Sequence, residues 1–356
     1  MSIDVGGAVR RGEELDAAAV HRWLADRLPD LGEGLPEVTQ YAGGASNWTY
    51  RLRYPSHDLV LRRPPAGRKA KSAHDMGREV RVQSALRPVY PYVPEIVGFC
   101  EDEGVIGAEF YVMHRIEGII PRKDMPVPLT PTQARALCSH AVDRLVELHQ
   151  VDVDAAGLRS LGKGTGYVRR QIEGWTDRWR KARTPNVPSF ERVIRWLHDN
   201  LPDDVANVVI HNDFRLDNLV LDPADPTRPI GVLDWEMSTL GDPLMDLGNS
   251  LAYWVQADDD WFVRQTRRQP TNLPGMMTRD ELVRTYAERS GRDIGDFTFY
   301  EVYGMFRLAV IVQQIYWRYH HGQTDNPAFR RFWLLATWLD VRCARKIGVR
   351  KLLLRR

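Results

Sequence analysis

The sequence predicts an α+β chain of two lobes, a small antiparallel-sheet lobe over residues 1–117 and a larger, mainly helical lobe over residues 118–356. Three observations carry this expectation. Short β-like runs broken by glycine and proline turns crowd the first third of the chain; helical apolar spacing dominates from residue 131 onward; and 356 residues exceed one ordinary core and suit about two. In order, Leu15, Val20, Trp23, Leu24 and Leu28 recur at helical spacing until Pro29 and Gly32 end the run. Val38 to Tyr41 and Trp48 to Tyr54 read as strands around the turn Gly43-Gly44-Ala45-Ser46-Asn47, and Leu59 to Arg62 follows the Pro55-Ser56 turn as a third. Residues 73–87 return to helix, and Phe110 to Ile116 reads as a strand ending at Glu117-Gly118. Further helices are expected over 131–149, 165–182, 189–200, 278–290, 297–321 and 327–347. A cleft where the lobes join, near Gly118, is the expected ligand site.

Composition narrows the class. With 43% hydrophobic and 27% charged residues the chain reads as a soluble globular protein. Forty-nine basic residues against 47 acidic ones leave a formal charge of +2, which gives no bulk argument for nucleic acid as a partner. Cys100, Cys138 and Cys343 are odd in number and far apart, so neither a disulfide framework nor a zinc site is expected, and a reducing cytoplasm fits. Charged residues fill the N-terminus where a signal peptide needs an apolar stretch, and Arg307 and Gln313 interrupt the longest apolar runs, so no membrane partner is expected.

Residues 209–248 carry the chemistry. They contain His211-Asn212-Asp213-Phe214-Arg215-Leu216-Asp217-Asn218, then Leu233-Asp234-Trp235-Glu236, then Gly241-Asp242-Pro243 and Asp246. Phosphoryl transfer needs one carboxylate to hold an attacking hydroxyl, and an amide with a second carboxylate to hold magnesium on a nucleotide. His-x-Asp-x-x-x-x-Asn followed by a strand-borne Asp supplies those groups in that order.

These motifs, with Leu61-Arg62-Arg63-Pro64-Pro65, Arg78-Glu79, Phe110-Tyr111-Val112-Met113 and Glu117-Gly118, resemble the kinase-like aminoglycoside phosphotransferase superfamily over nearly the whole chain. Within it, the resemblance is closest to the kinase-like domain of acyl-CoA dehydrogenase family members ten and eleven and to free-standing bacterial relatives. The resemblance implies a protein-kinase-like bilobal fold and a small-molecule kinase that uses ATP and magnesium to phosphorylate a hydroxyl. Asp213 is then the base: an alcohol's pKa lies far above that of aspartates in general, so this residue aligns the hydroxyl and accepts the proton late. Asn218 and Asp234 are the expected magnesium ligands, since magnesium takes hard oxygens. His211 is expected to be a scaffold residue, and Asp242 and Asp246 to brace the catalytic loop. Arg215, two residues beyond the base, either steadies that loop or neutralises the transferring phosphate.

Nucleotide contacts are expected from the small lobe. Alternation in Leu59-Val60-Leu61-Arg62 puts Val60 and Arg62 on one face, with Val60 near the adenine and Arg62 near the phosphates. Arg stands here where protein kinases carry Lys, and Glu79 is its expected helical partner. Arg63, on the opposite face, is the alternative phosphate contact. Ser46 and Asn47 belong to a glycine loop that is either phosphate-binding or an ordinary hairpin turn. The resemblance places Met113, His114 and Arg115 at the hinge beside adenine.

The acceptor is less legible. Arg169, Arg170, Arg178, Arg180 and Lys181 interleave with Trp175 and Trp179, either as a face for an anionic carrier such as coenzyme A or as a solvated helix with inward tryptophans. Asp258, Asp259 and Asp260 are the dense acidic run that a polycationic acceptor would call for, though such runs are usually solvated. His320-His321 lacks partners at metal-ligand spacing. The resembling domains point to a hydroxylated acyl-CoA and to a separate acyl-CoA dehydrogenase-like partner. The alternatives are an aminoglycoside, choline or sugar acceptor, or a nucleotide-binding pseudokinase, against which the intact Asp213, Asn218 and Asp234 argue.

Overall fold

The computed structural model describes residues 6–41, 47–65 and 75–348. Its elements in chain order are α1 (Ala17–Ala25), β1 (Glu37–Gln40), β2 (Trp48–Arg53), β3 (Asp58–Arg63), α2 (Met76–Leu86), β4 (Ile96–Cys100), β5 (Phe110–His114), α3 (Pro131–His149), α4 (Tyr167–Ala182), α5 (Glu191–Asp199), β6 (Val208–Ile210), β7 (Leu219–Leu221), β8 (Pro229–Val232), β9 (Thr239–Gly241), α6 (Pro243–Ala252), α7 (Trp261–Gln265), α8 (Arg279–Ser290), α9 (Thr298–His320) and α10 (Phe332–Lys346). The chain packs as two compact units. One comprises Met1–Ala141, Asp154–Leu158 and Leu216–Ser238; the other comprises Val142–Val153, Arg159–Arg215 and Thr239–Arg356. This division differs from a single cut at 117/118. Residues 118–141 and the β7–β8 hairpin join the first unit because Ile119 forms an antiparallel bridge with Leu221 and the Val232 N–H donates to the Tyr92 carbonyl at 2.8 Å. Gly118 is glycine for a local reason: a Cβ there would lie 2.5 Å from the Leu221 carbonyl oxygen.

The first unit is built on an antiparallel sheet of order β1-β2-β3-β5-β4. Period-two alternation sorts its side chains. Leu59, Leu61, Tyr50, Leu52, Phe110 and Val112 face one core with Val20 and Leu24 of α1, while Val60, Tyr111 and Met113 face the other with Met76 of α2. Both helices start on an aspartate whose side chain accepts a third-residue N–H, Asp16 from Ala19 and Asp75 from Arg78. β4 is a strand the sequence pattern did not predict; four of its five residues are only partly buried, so no apolar alternation marks it.

In the second unit α9 is the central helix, buried on most of its circumference and packed by α4, α6 and α10. Where α6 crosses it, Gly248 and Gly304 face each other, and a Cβ on either would collide with backbone of the other helix. Trp179, Phe190 and Phe306 form an aromatic core with centroids 4.4–6.5 Å apart. The helix expected over 327–347 is interrupted: a 3-10 turn at Pro327–Phe329 precedes α10. α6 and α7 were not expected as helices. Asp242 caps α6 with Pro243 at its first turn, a start signal hidden inside the Gly-Asp-Pro motif.

Candidate active site

Arg62 is the centre of the first unit's polar cluster. It lies on β3 opposite Tyr111 of β5, and its guanidinium meets Glu79 of α2 at 3.2 Å, Asp234 at 3.2 Å and Glu236 at 3.5 Å. Glu79 is almost fully buried and accepts further bonds from the Tyr111 hydroxyl at 2.8 Å and the Asn47 amide at 3.3 Å. Asn47 also donates to Glu236 at 3.1 Å. Among the described residues three carboxylates thus meet this guanidinium. Burial, aided by Asp234, pushes the Glu79 carboxyl up against the pull of Arg62 and Tyr111. Burial also opposes the charge on Arg62, but Tyr111, Glu79, Asp234 and Glu236 outweigh it and hold the cation firmly.

Asp234 follows β8 with a left-handed backbone, φ 69°, and heads a 3-10 turn Trp235–Met237. Such a conformation is uncommon for a residue with a side chain and marks an enforced geometry. Trp235 anchors the turn, fully buried with its indole N–H donating to the Val232 carbonyl at 2.9 Å. The buried Asn218 immediately precedes β7, and its backbone carbonyl accepts the Leu233 N–H at 2.8 Å, which extends the hairpin pairing and sets 218 beside 233. An amide oxygen and a carboxylate are the hard donors that magnesium takes, in the small number it takes from protein, and the pair fits that ion. Among the described residues no three His, Cys, Asp or Glu side chains group as a metal site of their own.

Val60 and Met113 sit together on the α2-facing side of the sheet. His114 and Arg115 differ: their N–H groups donate to the Glu95 and Asp58 carbonyls, and the Arg115 side chain is tied to Asp58 at 2.9 Å and the Tyr41 hydroxyl at 3.1 Å. Arg63 points to the opposite face, bonded to the Ile106 carbonyl at 3.1 Å over the Trp48 ring. Ser46, with Gly43 and Gly44, lies outside the described residues.

The second unit holds the loop of the predicted base. Asp213 pairs with Arg215 at 3.2 Å, and Arg215 lies over the Tyr253 ring at 4.7 Å. His211 is fully buried, and its Nδ1 accepts the Asp213 N–H at 3.2 Å. Asp246 of α6 accepts the His211 N–H at 2.8 Å and the Asn212 N–H at 2.7 Å, and it meets His149 Nε2 at 3.1 Å. Burial alone would raise the Asp246 carboxyl, yet His149 and the loop hold it below its ordinary value. Asp242 caps α6 and accepts the Val205 N–H at 2.6 Å.

On α4 the tryptophans turn inward, Trp179 fully buried, while Arg169, Arg178, Arg180 and Lys181 are exposed. A cavity of about 550 Å³ in this unit is lined by Asp258, Asp259, Arg279, Glu301, Arg342 and Lys346, among others. Several of its charges are already paired, Asp259 with Arg279 at 2.8 Å and with Arg342 at 3.4 Å, and Glu301 with Lys346. No helix of the described residues is long and apolar enough to cross a membrane.

Sequence reasoning assigned no role to Tyr111 or Glu236, both of which contact the site residues. Glu236 had a signal in its place two residues past Asp234; Tyr111 needed the β3–β5 register, which no single strand encodes.

Residues 37–282 match the family model described as the phosphotransferase enzyme family. The chain is 37% identical over 321 residues to mouse acyl-CoA dehydrogenase family member 10, covering 89% of this chain and 30% of that protein. To human acyl-CoA dehydrogenase family member 11 it is 34% identical over 321 residues, covering 88% and 40%. The chain thus spans less than half the length of these relatives. Among solved structures, a Ralstonia eutropha protein described as a candidate aminoglycoside phosphotransferase superposes with a TM-score of 0.76 at 30% identity, covering 94% of this chain and 99% of that one. Cryptosporidium parvum choline kinase, at 12% identity and a TM-score of 0.63 over 96% and 97%, shares the fold. The chain belongs to the phosphotransferase enzyme family and has a kinase-like α+β fold.

Proposed function

We propose that the chain transfers the γ-phosphoryl group of ATP, with magnesium, to the hydroxyl of a hydroxylated acyl-CoA. The observation that carries the nucleotide reading is the buried Arg62–Glu79 pair joined to Asp234: a strand-borne cation locked by a helical carboxylate beside a metal-type ligand. Arg62 takes the α- and β-phosphates, with its fork held in register by Glu79, to which the Asn47 amide donates. Val60 and Met113 supply an apolar wall for the adenine. Asn218 and Asp234 would hold magnesium, which would neutralise charge on the phosphate oxygens. Asp213 aligns the acceptor hydroxyl and takes its proton late, with Arg215 steadying the carboxylate from 3.2 Å. The acyl-CoA acceptor rests on the names of the relatives, which place similar segments in acyl-CoA dehydrogenase family proteins. Phosphorylation would turn a hydroxyl into a leaving group, and a separate acyl-CoA dehydrogenase-like protein is the proposed consumer.

The test is ADP release across hydroxyacyl-CoAs, aminoglycosides and amino alcohols, with Asp213→Ala as control. The variant should lose roughly 10²–10⁴ in turnover while keeping the rise in melting temperature that magnesium-ATP gives the parent. Release shared equally by both proteins would be contamination and would sink the proposed reaction, and release only with an amine-bearing sugar would replace the acyl-CoA acceptor.

A further inference from the structure

Arg307 interrupts one of the longest apolar runs of the chain and lies on α9, 4% exposed. A guanidinium is seldom buried without a defined partner. Its Nη2 donates to the carbonyl of Asn212 at 3.0 Å, and its planar group lies over the Trp175 ring at 5.3 Å. Asn212 directly precedes Asp213 and is held at φ 65°, a left-handed conformation uncommon for a residue with a side chain. Its N–H donates to Asp246, and its side-chain oxygen accepts from the Tyr167 hydroxyl at 3.2 Å and the Asn249 amide at 3.1 Å.

The peptide between 212 and 213 is a rigid plane, and this plane is pinned at both ends. Arg307 holds its carbonyl and His211 Nδ1 accepts its N–H. Because the plane turns as one body, its orientation sets the direction in which the Asp213 side chain leaves the backbone. We propose that Arg307 is a positioning residue, which holds the Asn212 carbonyl and so keeps the Asp213 carboxylate aimed at the acceptor hydroxyl. This rests on the role given to Asp213 above. Burial opposes the guanidinium's charge, but Tyr303, Tyr253, Asp213 and Tyr167 outweigh it, so the donor stays charged through the neutral range.

The experiment has a structural and a kinetic arm. Crystal structures of Arg307→Met and Arg307→Lys report the 212–213 peptide directly. In Arg307→Met the Asn212 carbonyl should turn away and Asp213 should shift, while Arg307→Lys should keep the turn. In ADP release with a hydroxyacyl-CoA, Arg307→Met should lose about 10- to 100-fold in kcat with KM for ATP unchanged, and Arg307→Lys should recover most of the loss. Combined with Asp213→Ala, Arg307→Met should add almost nothing. An unmoved peptide in Arg307→Met, or an equal further loss in the Asp213→Ala background, would overturn the proposal. If the parent releases no more ADP than Asp213→Ala, the proposed reaction fails instead, and the crystal structures still decide whether Arg307 sets the peptide. Should Arg307→Met not fold, Arg307→Gln, which keeps a donor without the charge, takes its place in both arms.

Discussion

Replacing Arg62 with Met tests the charge arithmetic of the first unit. The substitution keeps most of the apolar stem and removes the guanidinium that meets Glu79, Asp234 and Glu236 at 3.2, 3.2 and 3.5 Å. With an effective dielectric constant near 20, one such pair at about 4 Å between charge centres is worth about 4 kcal/mol. Removing one member of a buried pair typically costs about 3–5 kcal/mol. The variant can limit that loss by protonating Glu79, the most buried of the three acids. Holding a proton on a carboxyl of ordinary pKa about 4.3 costs about 1.4 kcal/mol for each pH unit above it, hence about 4 kcal/mol at pH 7 and about 1 kcal/mol at pH 5. The sign follows from proton counts: the folded variant keeps a proton that its unfolded chain has released, so its stability falls as pH rises. Urea unfolding of both proteins at pH 5, 6 and 7 reads this out. The gap between them should widen by at most about 3 kcal/mol from pH 5 to pH 7, less what the parent itself loses because its Glu79 carboxyl is also pushed up. A loss below about 1 kcal/mol at pH 7, or one independent of pH, would refute the claim that Arg62 is the counter-ion of a buried carboxylate.

Other consequences are as direct. Asp246→Ala strands two backbone N–H groups and His149, and should cost about 3–5 kcal/mol at neutral pH. Because the folded Asp246 carboxyl is held low, its contribution is present above the ordinary carboxylate pKa and disappears as pH falls through the depressed value. Acid titration of the two proteins should therefore converge at low pH; parallel curves would argue against the brace. Gly304→Ala forces a methyl group into the backbone of α6 and should cost about 1–3 kcal/mol by thermal unfolding. An unchanged melting temperature would show that the helix crossing has slack.

Most secondary elements and the site residues' identities were legible because they rest on local patterns. Strand alternation put Val60 and Arg62 on one face, and on the α2 side Val60 packs with Tyr111 and Met113 while Arg62 meets Glu79. The helices at 131–149, 167–182, 279–290 and 298–320 lie where apolar spacing placed them. Elements without that spacing escaped. β4 is half-exposed, and α6 begins inside a motif read for its acids.

Sequence alone determined the inventory: an acid at 213, an amide at 218, an acid at 234, a cation at 62 and a helical carboxylate at 79, in an order that suits phosphoryl transfer. Tertiary structure decided who meets whom. Arg62 shares its charge among three carboxylates, Tyr111 reaches Glu79 across a strand pair, and Arg307 grips a carbonyl 95 residues away in sequence. Left-handed backbone at Asn212 and Asp234 was equally invisible beforehand. The reason is physical: propensity and periodicity act over one or two turns of chain, whereas a buried charge takes whatever partner the packing of distant elements delivers, and that choice exists only once the elements have packed.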